Sequence, residues 1–479
     1  MVTCVCATEV VCMFIGRKNE LRVLEETYQM SGFRMTVIYG RRRIGKSTLI
    51  REFLKGKPAS YYVASQTSLE DNITKWSGQF IQDLVPEAEG ASFANMEDFF
   101  HFAAKHAGTE KIVLALDEVP YIAEADSSFL SRLQNVIDNI LSQTEVYLIL
   151  CGSAVSFMEK KILSEKSPLF GRRTNQIFLK PFRYLESAEF TPSYTDEEKA
   201  VVYGVTGGVA KYLSLFDDAR SLDDNLKRHF FRTSGYLYEE PSNLLTQEFR
   251  SVGTYNVIIE ACAAGSGKVN EIADKTHLSS PAVTSALKNL ETVGIISRIF
   301  AITDESNKKK TRYEITDGMY LFWYTFVSPG LAAIEMNRGD KFYERAVKPK
   351  LHEFMGSIFE SMCRDYVLME GLDGKLGCFV TMVGKWWGPG HDHIPTDIDV
   401  VGIDTTSGKA VIGECKFRNE PIDKSMVEAL LARKGLISRK YTEVQFLLFS
   451  LSGFTEWVRE HATAPEFLLL TLRDLYAES

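Results

Sequence analysis

Cysteine is scarce in this chain, with eight in 479 residues. They stand at positions 4, 6, 12, 151, 262, 363, 378 and 415, too thinly spread for a disulfide framework, which points to a reduced, cytoplasmic setting. Cys4, Cys6 and Cys12 cluster, but no second Cys or His pair follows at metal-site spacing, so a zinc module is not expected. Long apolar runs are also missing. Nothing approaches the ~18 unbroken apolar residues of a membrane helix, so no membrane partner is expected. Residues 1–13 lack the basic and long apolar regions of a signal peptide, and a flexible lead-in is the simpler reading.

An excess of positive charge is absent too. Lys+Arg number 55 against 63 Asp+Glu, a formal charge of −8. That excludes a histone-like basic coat but leaves room for a local basic groove. What is present is ordinary for a soluble globular protein, 45% apolar and 25% charged residues. The length suggests about three domains. No internal repeat or low-complexity linker interrupts them.

After the lead-in, short apolar runs at 35–39, 60–64, 111–116, 145–150 and 176–179 alternate with amphipathic segments of helical length. That pattern predicts an α/β core over 14–190, a doubly wound parallel sheet with helices on both faces. From 191 to 250 the pattern is helical, as in a lid. Over 251–330 it predicts helices at 257–264, 269–276 and 281–293, then strands at 295–303 and 311–316 around a polar tip at 304–310. Three helices with a two-stranded wing make a winged helix-turn-helix. From 331 to 479 a helix near 354–368 precedes β-like runs at 378–385, 398–403, 410–415 and 444–450, with a helix at 425–436, which is a second α/β domain.

Gly40-Arg41-Arg42-Arg43-Ile44-Gly45-Lys46-Ser47 matches G-x-x-x-x-G-K-[ST], between a predicted strand and a predicted helix. The glycines let backbone N–H groups wrap phosphates, Lys46 reaches the β/γ-phosphates and Ser47 offers its hydroxyl to Mg²⁺. The new helix adds its positive dipole end, and Thr48 is expected to bind the nucleotide with the loop residues. ATP with Mg²⁺ is the expected cofactor pair. The apolar run 112–116 ends in Asp117-Glu118, at the end of a strand where ligands gather in open α/β sheets. Asp117 is expected to hold Mg²⁺ and Glu118 to polarise the attacking water. Ser153, after the next strand, is either near the γ-phosphate or a capping serine. Arg172 and Arg173 could neutralise transition-state charge, or could equally be salt-bridged surface arginines. Finger arginines often act across subunit interfaces, so they hint at a homo-oligomer.

Phe14-Ile15-Gly16-Arg17-Lys18-Asn19-Glu20-Leu21, the phosphate loop and Leu116-Asp117-Glu118 together resemble the archaeal-type AAA+ ATPases, relatives of the signal-transducing STAND branch. The resemblance covers roughly 14–245. It implies that Ile15, Gly16 and Arg17 pack by the adenine. It also implies that Gly207-Gly208-Val209-Ala210-Lys211-Tyr212-Leu213 is the lid motif that presents Lys211 to the nucleotide, with Ala210 where the family has proline.

The winged helix has little charge with which to grip DNA. Between 251 and 330 there are eight basic and eight acidic residues, and the candidate recognition helix offers Lys288 with Ser280, Thr284, Ser285 and Asn289. Lys308, Lys309 and Lys310 at the wing tip are the plausible phosphate contact. Contact with DNA and a structural, inter-domain role both remain open.

Near the C-terminus, Thr396-Asp397-Ile398-Asp399 leads one strand and Gly413-Glu414-Cys415-Lys416 ends the next. Residues two apart in a strand share a face, so Glu414 and Lys416 point the same way, with Cys415 opposite. If these strands pair as a hairpin, Asp399 comes beside Glu414. Two carboxylates and a lysine suit a Mg²⁺-dependent phosphodiesterase, and a surface ion pair is the alternative. The pattern resembles the PD-(D/E)XK nuclease superfamily, which implies a restriction-endonuclease-like fold and brings Glu360, in Gly356-Ser357-Ile358-Phe359-Glu360, into the metal site. With Trp386-Trp387-Gly388, the segment is similar to the DUF234 domain of such ATPases, although Asp397 stands where relatives often show glutamate. His391 and His393 could contact DNA or metal, or simply sit in a Gly/Pro loop. The resulting expectation is an ATPase whose nucleotide state regulates a nuclease-like domain acting on nucleic acid. The alternative is a signalling or scaffold ATPase with a protein-binding winged helix and an inactive nuclease-like domain.

Overall fold

The computed structural model describes residues 14–108, 110–249, 251–303, 311–438 and 440–477. The expected lead-in at 1–13 and the lysines of the wing tip at 308–310 lie outside the described residues. The chain divides into two compact units. The first takes in the chain up to Phe182 together with Val209–Lys211, and the second takes in Arg183–Gly208 and Tyr212 onward.

In the first unit, strands β1 (Arg34–Tyr39), β2 (Ala59–Val63), β3 (Ile112–Asp117), β4 (Val146–Gly152) and β5 (Asn175–Phe178) form one sheet in the order β2-β3-β4-β1-β5. Every pairing is parallel, as the alternation of strands and helices predicts. β3 and β4 are buried along their whole length, which is why they read as unbroken apolar runs. Their side chains alternate between two cores. Val37, Leu114 and Leu148 face one helical layer, and Ile38, Val113, Ala115 and Ile149 face the other. Burying each leucine in this way stabilises the fold by roughly 1.5–3 kcal/mol. Two helices on one face start on side-chain caps. Ser68 accepts from the Asp71 N–H, and Asn95 accepts from the N–H groups of Glu97 and Asp98. The helix Lys46–Leu54 has no such cap and begins from Gly45 at φ 97°. Its first N–H groups are left for a ligand.

The second unit holds the helices Asp196–Thr206, Leu222–Phe230 and Glu240–Glu248. Then come three helices, Val252–Ala263, Val269–Thr276 and Ser280–Thr292, and an antiparallel pair, β6 (Ile296–Ile299) and β7 (Arg312–Ile315). The 22-residue helix Leu351–Leu372 leads into a mixed sheet of β8 (Met382–Pro389), β9 (Pro395–Asp404), β10 (Lys409–Lys416), β11 (Thr442–Ser450) and β12 (Phe467–Thr471), ordered β12-β11-β10-β9-β8. β9 pairs antiparallel with both β8 and β10, while β11 pairs parallel with both β10 and β12.

β8 starts four residues later than the apolar run at 378–385 suggests. Cys378 and Val380 are buried before the ladder begins. The segment 388–393, read as a loop, is the end of β8 and a tight turn. Pro389 pairs opposite Pro395, and the Gly390 N–H donates to the Ile394 carbonyl at 2.8 Å.

Candidate functional site

In the first unit the phosphate loop lies between β1 and the helix Lys46–Leu54. Gly40 has φ 154°, and a Cβ there would stand 2.4 Å from the Leu179 carbonyl oxygen, so only glycine fits. Lys46 is 6% exposed. Its ammonium donates to the carbonyls of Gly40 at 2.8 Å and Arg41 at 2.9 Å. Burial lowers the Lys46 pKa, against the raising effect of Cys151, Glu118 and Asp117.

Asp117 ends β3 and is 2% exposed. The Ser47 hydroxyl donates to its Oδ2 at 2.6 Å and the Tyr61 hydroxyl to the same oxygen at 2.7 Å, while the Glu118 N–H donates to Oδ1 at 2.9 Å. Burial alone would raise this carboxyl, but hydrogen bonds from the Cys151 thiol, Ser47, Tyr61 and the Glu118 amide hold it below the usual range. An ionised carboxylate against a serine hydroxyl at the head of an uncapped helix is a donor set of hard oxygens that suits Mg²⁺. Glu118 adopts φ 53°, a left-handed conformation uncommon for this residue. Its carboxylate accepts from the Ser153 hydroxyl at 2.8 Å and the Ser153 N–H at 3.3 Å. Ser153 therefore lies against Glu118.

Arg17, at φ 57°, is buried. Its Nη2 donates to the Ile44 carbonyl at 3.2 Å, its Nη1 pairs with Glu20 at 3.4 Å, and the guanidinium lies 3.9 Å from the centre of the Phe182 ring. This ties the segment of Ile15, Gly16 and Arg17 to the phosphate loop. The Lys211 N–H donates to the Arg43 carbonyl at 3.1 Å, and a Cβ on Gly45 would meet the Ala210 methyl at 3.5 Å. The segment Val209–Lys211 thus touches the loop through its backbone, a contact that alanine in place of proline leaves intact. Arg172 forks onto Asp138, with Nε–Oδ1 and Nη2–Oδ2 both 2.7 Å, and Arg173 donates to the Leu163 carbonyl at 2.9 Å.

Sequence reasoning missed Tyr61, Tyr121 and Cys151. Tyr61 reaches Asp117 from the neighbouring strand, and Tyr121 accepts from Arg42 Nη2 at 3.2 Å. No motif marks either one. Cys151 sits beside the serine already singled out, at the end of the same strand.

In the second unit, β9 and β10 do form the hairpin, with Val400 opposite Gly413. Asp399 Oδ2 accepts the Cys415 N–H at 3.0 Å. Glu414 Oε1 accepts from Lys416 at 2.5 Å, and its other oxygen pairs with Arg433, which sequence reasoning did not single out. Glu360, on the long helix, pairs with Lys385 at 2.7 Å and Arg364 at 3.5 Å, and Arg364 donates to the Asp399 carbonyl at 2.9 Å. Burial, then the charges of Glu414 and Glu360, push Asp399 up to about 7. Burial would lower Lys416, but Glu414 and Asp399 hold it above its usual value. Cations meet the two glutamates, and no group of three or more His, Cys, Asp or Glu poised to hold a metal occurs among the described residues. His391 is bound to the Lys434 carbonyl at 2.8 Å, and His393 sits in the turn at φ 66°.

The strand pair β6–β7 packs on this same sheet. The Ile302 N–H donates to the Lys385 carbonyl at 2.8 Å, Arg312 lies over the Trp387 ring at 4.8 Å, and Lys385 reaches Glu314 at 3.8 Å. Thr284, Ser285, Lys288 and Asn289 on the helix Ser280–Thr292 are exposed. A cavity of about 610 Å³ opens beside β7, with Glu314, Arg312 and Arg364 in its wall. No helix among the described residues is long and apolar enough to cross a membrane.

Residues 14–216 match a family model described as an ATPase domain predominantly from Archaea. Residues 323–429 match DUF234, described as archaeal and bacterial proteins of unknown function. An uncharacterized protein of Methanocaldococcus jannaschii is 31% identical over 407 residues, covering 85% of this chain and 88% of its own length. Among solved structures, the Walker-type ATPase of Pyrococcus abyssi aligns with TM-score 0.49 and 20% identity over 65% of this chain and 96% of that one. The ORC2 protein of Aeropyrum pernix, in complexes with ADPNP and ADP, aligns with TM-score 0.42 and 14% identity over 67% of this chain and 95% of that one.

Proposed function

Since this chain belongs to the archaeal P-loop ATPases that carry a C-terminal DUF234 segment, we propose that ATP binding and hydrolysis in the first unit control a nuclease-like, Mg²⁺-dependent site in the second. In the first unit, Lys46 and the loop amides hold the phosphates, and Ser47 with Asp117 holds Mg²⁺, which supplies charge stabilisation at the transferring phosphoryl group. Glu118 orients the water, and Ser153 fixes the Glu118 carboxylate. The single observation that carries the ATPase half is the meeting of Ser47 and Asp117 at 2.6 Å beside a buried Lys46.

For the second unit the reading rests on Asp399, a buried carboxyl raised by Glu414 and Glu360. A divalent cation would relieve that repulsion. Glu360 and Glu414 would have to exchange their Lys385, Arg364 and Arg433 partners to join Asp399 as its ligands, with Lys416 to position or activate water. Residues 251–330 then serve as a winged helix. Its wing is held on the nuclease-like sheet, while Lys288 and the exposed polar face of the helix Ser280–Thr292 are left for DNA. The domain boundaries that go with this are 14–190, 191–250, 251–330 and 331–479.

A second reading has a specific observation behind it. Each glutamate of the cluster already faces cations, Glu414 with Lys416 and Arg433, and Glu360 with Lys385 and Arg364. Such a network also suits an inactive domain in a signalling or scaffold ATPase. Incubation with linear, circular and single-stranded DNA plus Mg²⁺ or Mn²⁺, with and without ATP, separates the two. We expect cleavage that Asp399→Ala abolishes and Lys46→Ala uncouples from ATP. No cleavage under any condition selects the scaffold.

A further inference from the structure

We propose that Arg42, carried by the phosphate loop itself, is the catalytic arginine that neutralises charge on the transferring γ-phosphoryl group, and that Tyr121 is its positioning residue. This rests on the ATPase reading of the first unit. Arg42 lies two residues after Gly40 in the loop whose amides wrap the phosphates. The seat of the β/γ-phosphates is marked by the Lys46 ammonium, which donates to the carbonyls of Gly40 and Arg41. Arg42 follows directly on Arg41, whose carbonyl takes one of those two bonds, so the loop carries its guanidinium next to the residues that hold Lys46.

Its direction is set from the far side of the site. Arg42 Nη2 donates to the Tyr121 hydroxyl at 3.2 Å. Tyr121 stands on the helix Val119–Ala125, and its N–H donates to the Glu118 carbonyl at 3.0 Å. The turn that carries Glu118 thus also carries the hydroxyl that holds Arg42, so one short stretch of backbone fixes the base and the partner of the cation. The other two candidate arginines are engaged elsewhere. Arg172 makes two 2.7 Å bonds to Asp138, and Arg173 is bound to the Leu163 carbonyl.

In the reaction, a water oxygen forms a bond to the γ-phosphorus while the bond from that phosphorus to the β,γ-bridging oxygen breaks. The electron pair of the broken bond stays on ADP, and the water's proton passes by way of Glu118 to solvent. Arg42 exchanges no proton. It donates hydrogen bonds to γ-oxygens as charge shifts, the role that a cationic finger plays in phosphoryl transfer.

Steady-state hydrolysis and nucleotide binding on the full chain test this. We expect wild-type turnover per molecule to be independent of protein concentration, because the arginine is in cis. Arg42→Ala should lower kcat on the order of 10³-fold with ADP affinity retained, and it should lose the tight ADP–aluminium fluoride–Mg²⁺ complex that mimics the transition state. Tyr121→Phe should lower kcat several-fold with KM unchanged, and Arg42→Lys should recover part of the loss. Circular dichroism checks that each variant is folded, and Tyr121→Phe keeps the test alive should Arg42→Ala not fold. Wild-type kcat in Arg42→Ala overturns the proposal. So does equal loss of ADP binding, or a wild-type turnover that climbs with protein concentration. Absence of hydrolysis by the wild type overturns the ATPase reading itself, and this proposal with it.

Discussion

Asp399 binds its proton up to about pH 7 in the folded chain, whereas in an unfolded chain an aspartate releases it near pH 4. The native state therefore holds more protons between those values. Stability falls as pH rises from about 4 to about 7, and stays level above. The groups facing Asp399 are Glu414 and Glu360 on the acidic side, with Lys416 and the Cys415 amide opposing them. Asp399→Asn should abolish that fall. With EDTA present, its melting temperature relative to wild type should be higher at pH 8 than at pH 5, and a relative melting temperature that ignores pH would refute the burial argument. At this scale legibility was uneven. Lys46, Ser47, Asp117 and Glu118 belong to contiguous motifs, so the sequence singles them out as candidates. Tyr61, Tyr121 and Arg433 lie in no motif, because their contacts with Asp117, Arg42 and Glu414 cross between separate elements.

Among the elements, the phosphate loop shows how narrowly backbone geometry is set. A methyl at Gly40 would meet the Leu179 carbonyl oxygen at 2.4 Å, in a conformation side chains rarely adopt. Gly40→Ala is expected to displace the loop and weaken ATP binding at least tenfold, about 1.4 kcal/mol, while the sheet stays folded. Fluorescent-nucleotide titration beside far-ultraviolet circular dichroism checks this, and wild-type affinity would count against it. The parallel strands were legible because both of their faces are buried and their apolar runs are continuous. β12 was not foreseen. Its run Phe467–Thr471 is short, and only Phe467 and Leu470 are buried, so periodicity alone could not set it apart from a helix end. β8 is shorter at its start than its apolar run because Cys378 and Val380 are buried without joining the ladder.

Across the whole molecule, each of the two units carries its own buried core. ATP with Mg²⁺ at about a hundred times Kd stabilises the state it binds by ~2.7 kcal/mol. In calorimetry this should lift the first unit's transition by roughly 5–10 °C and leave the second unit's component where it was. Lys46→Ala should lose the shift, and an equal shift of both components would show that the units unfold as one. Charge works at this scale too. Residues 331–479 carry 18 Lys+Arg and 22 Asp+Glu, so any grip on a polyanion there has to come from focused positive charge rather than from the domain as a whole.

By itself, the sequence determined the parallel α/β core and the nucleotide chemistry of its loop. Strand burial leaves a continuous apolar run, and phosphate binding needs adjacent residues at fixed spacing. The tertiary structure alone decided which side chains meet from distant elements. It set Tyr61 on Asp117, Tyr121 on Arg42, and the arginine and lysine partners of Glu360 and Glu414. Those contacts depend on strand order and helix packing, which no local spacing encodes.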